Sequence, residues 1–165
     1  MLKIHYLIGD ATEPIKKPAM IIHCCNDIGG WGRGFVIALR NKYPESENAY
    51  KHWFTTGDPQ LGEVQFVQVT PDICVANMIA QHGIRWAGKI APIRYKALDM
   101  CLKTVYEKAT EDNVIVCGPR FGCVLAGGEW KVISPIIEKH ISVETYIYTL
   151  DSQKNRWNDV YENEG

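Results

Sequence analysis

Four glycines, Gly29, Gly30, Gly32 and Gly34, fall within six residues between an apolar run and an apolar helix start. Ile21-Ile22-His23-Cys24-Cys25 leads into this corner, and Phe35-Val36 leads out of it. Glycines at that density let backbone N–H groups converge on a ligand with no Cβ in the way. The helix start that follows adds unpaired donors and a partial positive charge. Strand, corner and helix together make a phosphate cradle. A glycine-rich turn without a ligand is the competing reading of this segment alone.

The chain of 165 residues is long enough for one domain with a full core and hardly for two. Residues 1–150 read as that domain and 151–165 as a polar C-terminal tail, which Trp157 and Tyr161 either dock as a short helix or leave frayed. A formal net charge of −1, with no Lys/Arg run longer than two, argues against a DNA or RNA partner. There is no apolar run of about 18 residues and no signal peptide, so no membrane partner and a cytoplasmic location are expected. Cys24, Cys25, Cys74, Cys101 and Cys117 lie within apolar runs, and no Cys-x-x-Cys pair occurs. Reduced core thiols are expected, with Cys24 and Cys25 on opposite sides of a strand, rather than disulfides or a zinc site. Cys123 alone falls in a loop.

Strands are predicted at residues 3–8, 19–25, 63–70, 73–80, 113–117 and 143–150. Ile73 to Ala80 and Val114 to Cys117 are almost continuously apolar, as strands covered on both faces should be. Helices are predicted at 33–42, 45–54, 91–109 and 129–140. Pro92 falls in the first turn of the third, and Pro135 must kink the fourth or delay its start. This alternation gives an α/β fold: a three-layer α/β/α sandwich around a mixed, mostly parallel sheet.

Two further corners look chemical. Gly9-Asp10-Ala11-Thr12 follows the first predicted strand, where a carboxylate can accept from an exocyclic amine; Asp10 as a turn former is the plainer reading. Gly118-Pro119-Arg120-Phe121-Gly122-Cys123-Val124-Leu125-Ala126-Gly127-Gly128 again joins a buried strand to a helix. Two such loops can grip a diphosphate from opposite sides, outside the C-terminal ends of the strands. Other motifs fail. Phe35 stands where the dinucleotide fingerprint needs glycine, and Ile90 where a P-loop from Gly83 needs Ser or Thr. Cys123 lacks the arginine six residues on that a thiol phosphatase loop requires, since residue 129 is Glu. His23 and His82 are candidate acids or bases, each with structural hydrogen bonding as its alternative. Trp53 and Trp130 read as core, whereas Trp31, inside the first loop, reads as a lid on the site.

These residues resemble the macro domain, an α/β/α ADP-ribose-binding module, over roughly residues 1 to 150. The resemblance rests on Gly9-Asp10, on His23 to Gly34 and on Pro119 to Gly128. The run from His23 through Tyr43-Pro44 is similar to the small ADP-ribose-1''-phosphate phosphatase subgroup. It implies that Asp10 holds the adenine amine with Ala11 contributing backbone, and that Asn26 contacts the distal ribose. It also implies that Gly30, Trp31, Gly32, Arg33 and Gly34 wrap the diphosphate through backbone N–H groups together with Gly122, Cys123, Val124, Leu125 and Ala126, and that Pro119 and Phe121 are further ligand contacts. Tyr148 to Asp151, with Tyr148 and Leu150 as contacts, would flank the adenine. A sister subgroup works through a Lys and an Asp whose places here hold Gln81 and Ala126, so a lysyl intermediate is not expected.

The resulting expectation is ADP-ribose binding with hydrolysis of ADP-ribose 1''-phosphate. His23 would assist proton transfer or water positioning, Asn26 would orient the ribose, and Gln81 and His82 would be further catalytic candidates. No metal and no cofactor is called for. ADP-ribose or a derivative is the expected partner, and the sequence says nothing of oligomeric state. A non-catalytic ADP-ribose reader and a hydrolase of ADP-ribosyl esters are the alternatives.

Overall fold

Alternation of apolar side chains along the central strands decides which face each helix covers. In the computed structural model, which describes residues 1–164, β2 (Ala19–Asn26) sends Met20 and Ile22 into one core and Ala19, Ile21 and Cys25 into the other. β4 (Ile73–Gln81) does the same, with Ala76, Met78 and Ala80 on the first face and Val75 and Ile79 on the second. A strand of period two buried on both sides needs a helical layer on each. α3 (Tyr95–Asp112) and α4 (Trp130–His140) cover the first face. α1 (Phe35–Lys42) and α2 (Pro44–Thr56) cover the second, through Leu39 and Tyr50.

The remaining strands are β1 (Ile4–Ile8), β3 (Val64–Thr70), β5 (Ile115–Pro119) and β6 (Thr145–Thr149). Their order is β1-β6-β5-β2-β4-β3, with every pair parallel except β3 with β4. This is the mixed, mostly parallel three-layer sandwich expected from the alternation. All six cysteines are unpaired, and Cys25 and Cys117 are buried.

Several boundaries differ, each for a local reason. α3 starts at Tyr95 rather than 91. The Ile93 N–H is bonded to Ala126 O and the Arg94 N–H to Ala80 O, which holds that stretch extended beside the end of β4. β5 starts late because Asn113 caps α3 in the left-handed conformation (φ 54°). Pro135 does not delay α4, which already begins at Trp130. At the sixth of the eleven residues, the proline removes the N–H that would have bonded the Lys131 carbonyl one turn back. The near-P-loop from Gly83 to Ile90 is a tight turn closed by Ala87 and Ile90.

The C-terminal segment docks. A 3-10 helix spans Asp151–Arg156, and the ring of Tyr161 is buried. The Asn163 amide then bonds both the N–H (2.9 Å) and the carbonyl (2.8 Å) of Ile8, which covers the outer edge of β1. No helix among the described residues is long and apolar enough to cross a membrane.

Candidate functional site

The parallel strands β1, β6, β5, β2 and β4 all end on one side of the sheet, and a cavity of about 500 Å³ opens there. Gly9, Asp10 and Ala11 line one end, above the β1–β6 edge, with Tyr148 and Leu150. Arg33, Gly34 and the first turn of α1 line a long side. The loop after β5 faces them, from Pro119 through Ala126. Gln81 and Cys24 stand at the far end. Most of the residues expected to touch a ligand are thus brought together around one space.

The first loop is fastened by side chains. Asn26 Oδ1 accepts from the N–H groups of Ile28 (3.1 Å) and Gly30 (2.9 Å), and its Nδ2 donates to Gly30 O (2.8 Å). Arg40 donates to Trp31 O (2.6 Å) and forks onto Glu47 at 2.7 and 2.9 Å. That bonding by Arg40, with help from Lys51, holds the Glu47 carboxyl at about 2. Gly34 has φ +80°, a conformation open to glycine, and so turns the chain into α1. The first N–H groups of α1 lack intrahelical acceptors and lie along the cavity, where they suit an anion.

Five of the expected site residues do not line the cavity. Trp31 is no lid: it is 4% exposed, packs on Tyr50 and His23, and donates Nε1–H to Val36 O at 2.9 Å. Asn26, expected on the distal ribose, uses Oδ1 and one Nδ2 hydrogen to hold the loop backbone. Gly30 and Gly32 shape the loop without lining the cavity. His82 points away, with Nδ1 2.7 Å from Asp27 Oδ2. Burial alone would raise the Asp27 carboxyl, but the Gly83 N–H and His82 more than offset it and hold it low.

His23 reaches the cavity wall, but its ring is sealed in. Nε2 lies 2.5 Å from Asn77 Oδ1, while Asn77 Nδ2 donates to Gln65 and Ser46. Asn77 Oδ1 is therefore the acceptor, and His23 carries its proton on Nε2. Burial pulls its pKa down to about 4, against a partial rise from the Asn77 bond, so the ring is neutral at physiological pH. Cys25 Sγ packs beside the ring, 3.7 Å from Nε2 and 3.9 Å from Nδ1. Of the four catalytic candidates, Gln81 alone presents to the cavity a side chain with no hydrogen-bond partner among the described residues.

The second loop is held by its own backbone. Phe121 N–H bonds Pro119 O (2.7 Å) and Gly128 N–H bonds Gly122 O (2.8 Å). A Cβ on Gly128 would lie 2.3 Å from Gly122 O. Within this loop Val124 has φ +58°, a left-handed conformation that costs a β-branched residue energy. Burial pushes the Cys123 thiol up to about 11 and the Cys24 thiol well above its ordinary range, so neither is a thiolate near neutral pH.

Sequence reasoning missed several lining residues. Phe35, Val36 and Ala38 follow directly from a helix start at the cradle, and Arg120 lies inside the quoted loop. Gln153 and Trp157 also line the cavity, and nothing in their polar surroundings signals it. No group of three or more His, Cys, Asp and Glu side chains among the described residues is disposed to hold a metal ion.

No family model matches the chain. It is 42% identical to a macrodomain protein of Streptomyces coelicolor, covering 89% of this chain and 99% of that one with a TM-score of 0.78. Chromodomain-helicase-DNA-binding protein 1-like of Danio rerio is 33% identical over 84% of this chain; the chain spans only 14% of that relative, and 18% of its Mus musculus counterpart. The ADP-ribose 1''-phosphate phosphatase of Candida albicans is 22% identical, over 89% of this chain and 99% of its own length.

Proposed function

The chain belongs to the macro domain family, and from that membership we propose that it binds ADP-ribose and hydrolyses ADP-ribose 1''-phosphate to ADP-ribose and phosphate. The observation that carries the binding reading is the single cavity flanked by two glycine-rich loops, with the N-terminus of α1 along one side. Asp10 Oδ1 is held by the N–H and hydroxyl of Thr12, each at 2.8 Å, which leaves Oδ2 for the adenine amine. Ala11, Tyr148 and Leu150 complete that end. Backbone donors of Arg33–Gly34 and of Gly122–Ala126 take the diphosphate. The distal ribose then lies toward Gln81 and Cys24, and Asn26 serves it by fixing Gly30.

Hydrolysis in this site needs no protein nucleophile. A water oriented by Gln81 attacks phosphorus as the bond to the ribose 1''-oxygen breaks, its proton passes to that departing oxygen, and loop N–H groups stabilise the charge that develops on the phosphate. His23, neutral and enclosed, supports Trp31 and Phe35 from below. Relatives named as ADP-ribose 1''-phosphate phosphatases support the reaction.

One observation favours a second reading, a non-catalytic ADP-ribose reader. Near Gln81, the His23 ring is enclosed and hydrogen-bonded and the Cys24 thiol is protonated, and the one lining carboxylate, Asp10, stands at the opposite, adenine end. Phosphate release from ADP-ribose 1''-phosphate decides between the two. The phosphatase reading expects wild-type turnover, slowed roughly tenfold or more in Gln81→Ala with ADP-ribose affinity kept. Binding without any phosphate release would establish the reader.

A further inference from the structure

Residues 151–164 carry no motif, yet a buried arginine ties them to the fold. The Arg120 guanidinium lies 4.7 Å from the centre of the Tyr6 ring, 5.1 Å from Trp130 and 4.6 Å from Trp157. Its Nη2 meets Asp159 Oδ2 at 2.6 Å and Tyr161 Oη at 3.4 Å, and its Nε donates to Thr149 Oγ1 at 3.1 Å. The side chain is 4% exposed, and Nη1 is buried without a hydrogen-bond partner. Trp157, Asp159 and Tyr161 all belong to the C-terminal segment. A cation this enclosed cannot lose them without leaving a buried charge unpaired.

Other contacts hold the same segment. The Glu162 N–H bonds Tyr6 O at 2.9 Å, and the His5 ring lies between Glu162 (2.8 Å) and Glu144 (2.5 Å). The segment is therefore fixed where it meets the cavity, and there Gln153 and Trp157 form wall beside Thr149 and Leu150. This is the end marked by Gly9 and Asp10. The Gln153 side chain is exposed and has no hydrogen-bond partner among the described residues. A primary amide offers one acceptor and a pair of donors, which matches the adjacent donor and acceptor on an adenine edge.

We propose that the C-terminal segment is a working part of the ligand site: Arg120 locks it down, Gln153 reads the edge of the nucleobase, and Trp157 supplies the apolar wall beside it. The ligand named here rests on the proposed function, whereas the assignment of the segment rests on its own contacts. Arg120 and Asp159 are positioning residues; Gln153 and Trp157 touch the ligand.

Titration calorimetry with ADP-ribose tests this on the full chain. Gln153→Ala, on the surface and unbonded, leaves the melting temperature unchanged and weakens ADP-ribose about fivefold, and Trp157→Ala weakens it about tenfold. Asp159→Asn weakens binding to the wild-type wall, but by less than about twofold once Gln153 and Trp157 are both alanine, because it acts through them. Measurable wild-type binding with Gln153→Ala and Trp157→Ala both within about twofold of it would overturn the proposal. A wild type that binds no ADP-ribose would instead overturn the functional reading, and with it the ligand assigned to this wall.

Discussion

In the loop after β2, side chains hold the backbone: Asn26 takes two N–H groups and a carbonyl, and Arg40 takes the Trp31 carbonyl. In the loop after β5, the backbone holds itself, with Gly128 where a Cβ would strike the Gly122 carbonyl and Val124 twisted into a left-handed conformation. Both loops face one cavity, so the same task is met by two constructions. A side-chain scaffold tolerates a Cβ where its glycine faces open space, as Gly32 does, and fails when a polar anchor is removed. A backbone scaffold behaves in the opposite way.

The largest expected effect follows from the second construction. Gly128→Ala sets a Cβ 2.3 Å from Gly122 O, an atom already bonded to the Gly128 N–H, and should cost at least about 3 kcal/mol in urea unfolding. Gly32→Ala in the first loop meets nothing within 4 Å and should change stability by less than about 0.5 kcal/mol. Equal losses at the two glycines would break the comparison.

Next in size is a pH effect beneath the first loop. Burial holds His23 at about 4 in the folded chain, against an unfolded value of about 6.5. The unfolded state therefore binds the proton first. The contribution of His23 is fully present above pH 6.5 and is lost as the pH falls toward 4, by about 3 kcal/mol. Urea titrations across that window should show the decline, and His23→Gln should flatten it. A wild-type curve unchanged by the substitution would mean that the ring is hydrated.

Asn26→Ala should cost about 2 kcal/mol, because it removes the three hydrogen bonds that fasten Ile28 and Gly30, and should weaken ligand binding through the loosened loop. Tyr50, whose hydroxyl also meets Asn26, makes Tyr50→Phe a milder probe of the same anchor. The smallest effect is a gain. Val124→Gly relieves the left-handed strain but adds chain entropy to the unfolded state, for a net stabilisation of about 0.5 kcal/mol read as a small rise in melting temperature.

How much was legible in the sequence follows the same division. The period-two burial of Met20, Ile21 and Ile22 is written in composition, so strands, layers and sheet type could be read directly. The glycine loops were visible because glycine itself is the signal. Side-chain anchoring was not. Asn26 looks like a ligand contact until its four-residue reach back to Gly30 is seen. Trp31 sits in a loop by sequence and in the core by packing, since the partner that buries it, Tyr50, is nineteen residues away on α2. The C-terminal wall was illegible because Arg120 and Asp159, which join it to the site, are separated by α4, β6 and two short 3-10 helices.

The most direct measurement is calorimetric titration of the full chain with ADP-ribose, with ADP and AMP as controls. If the two loops form one diphosphate cradle between an adenine end and a ribose end, ADP-ribose binds in the micromolar range. Affinity then falls by about tenfold or more for ADP, which lacks the distal ribose, and further for AMP, which lacks one phosphate as well. Equal binding of all three, or none, would contradict it.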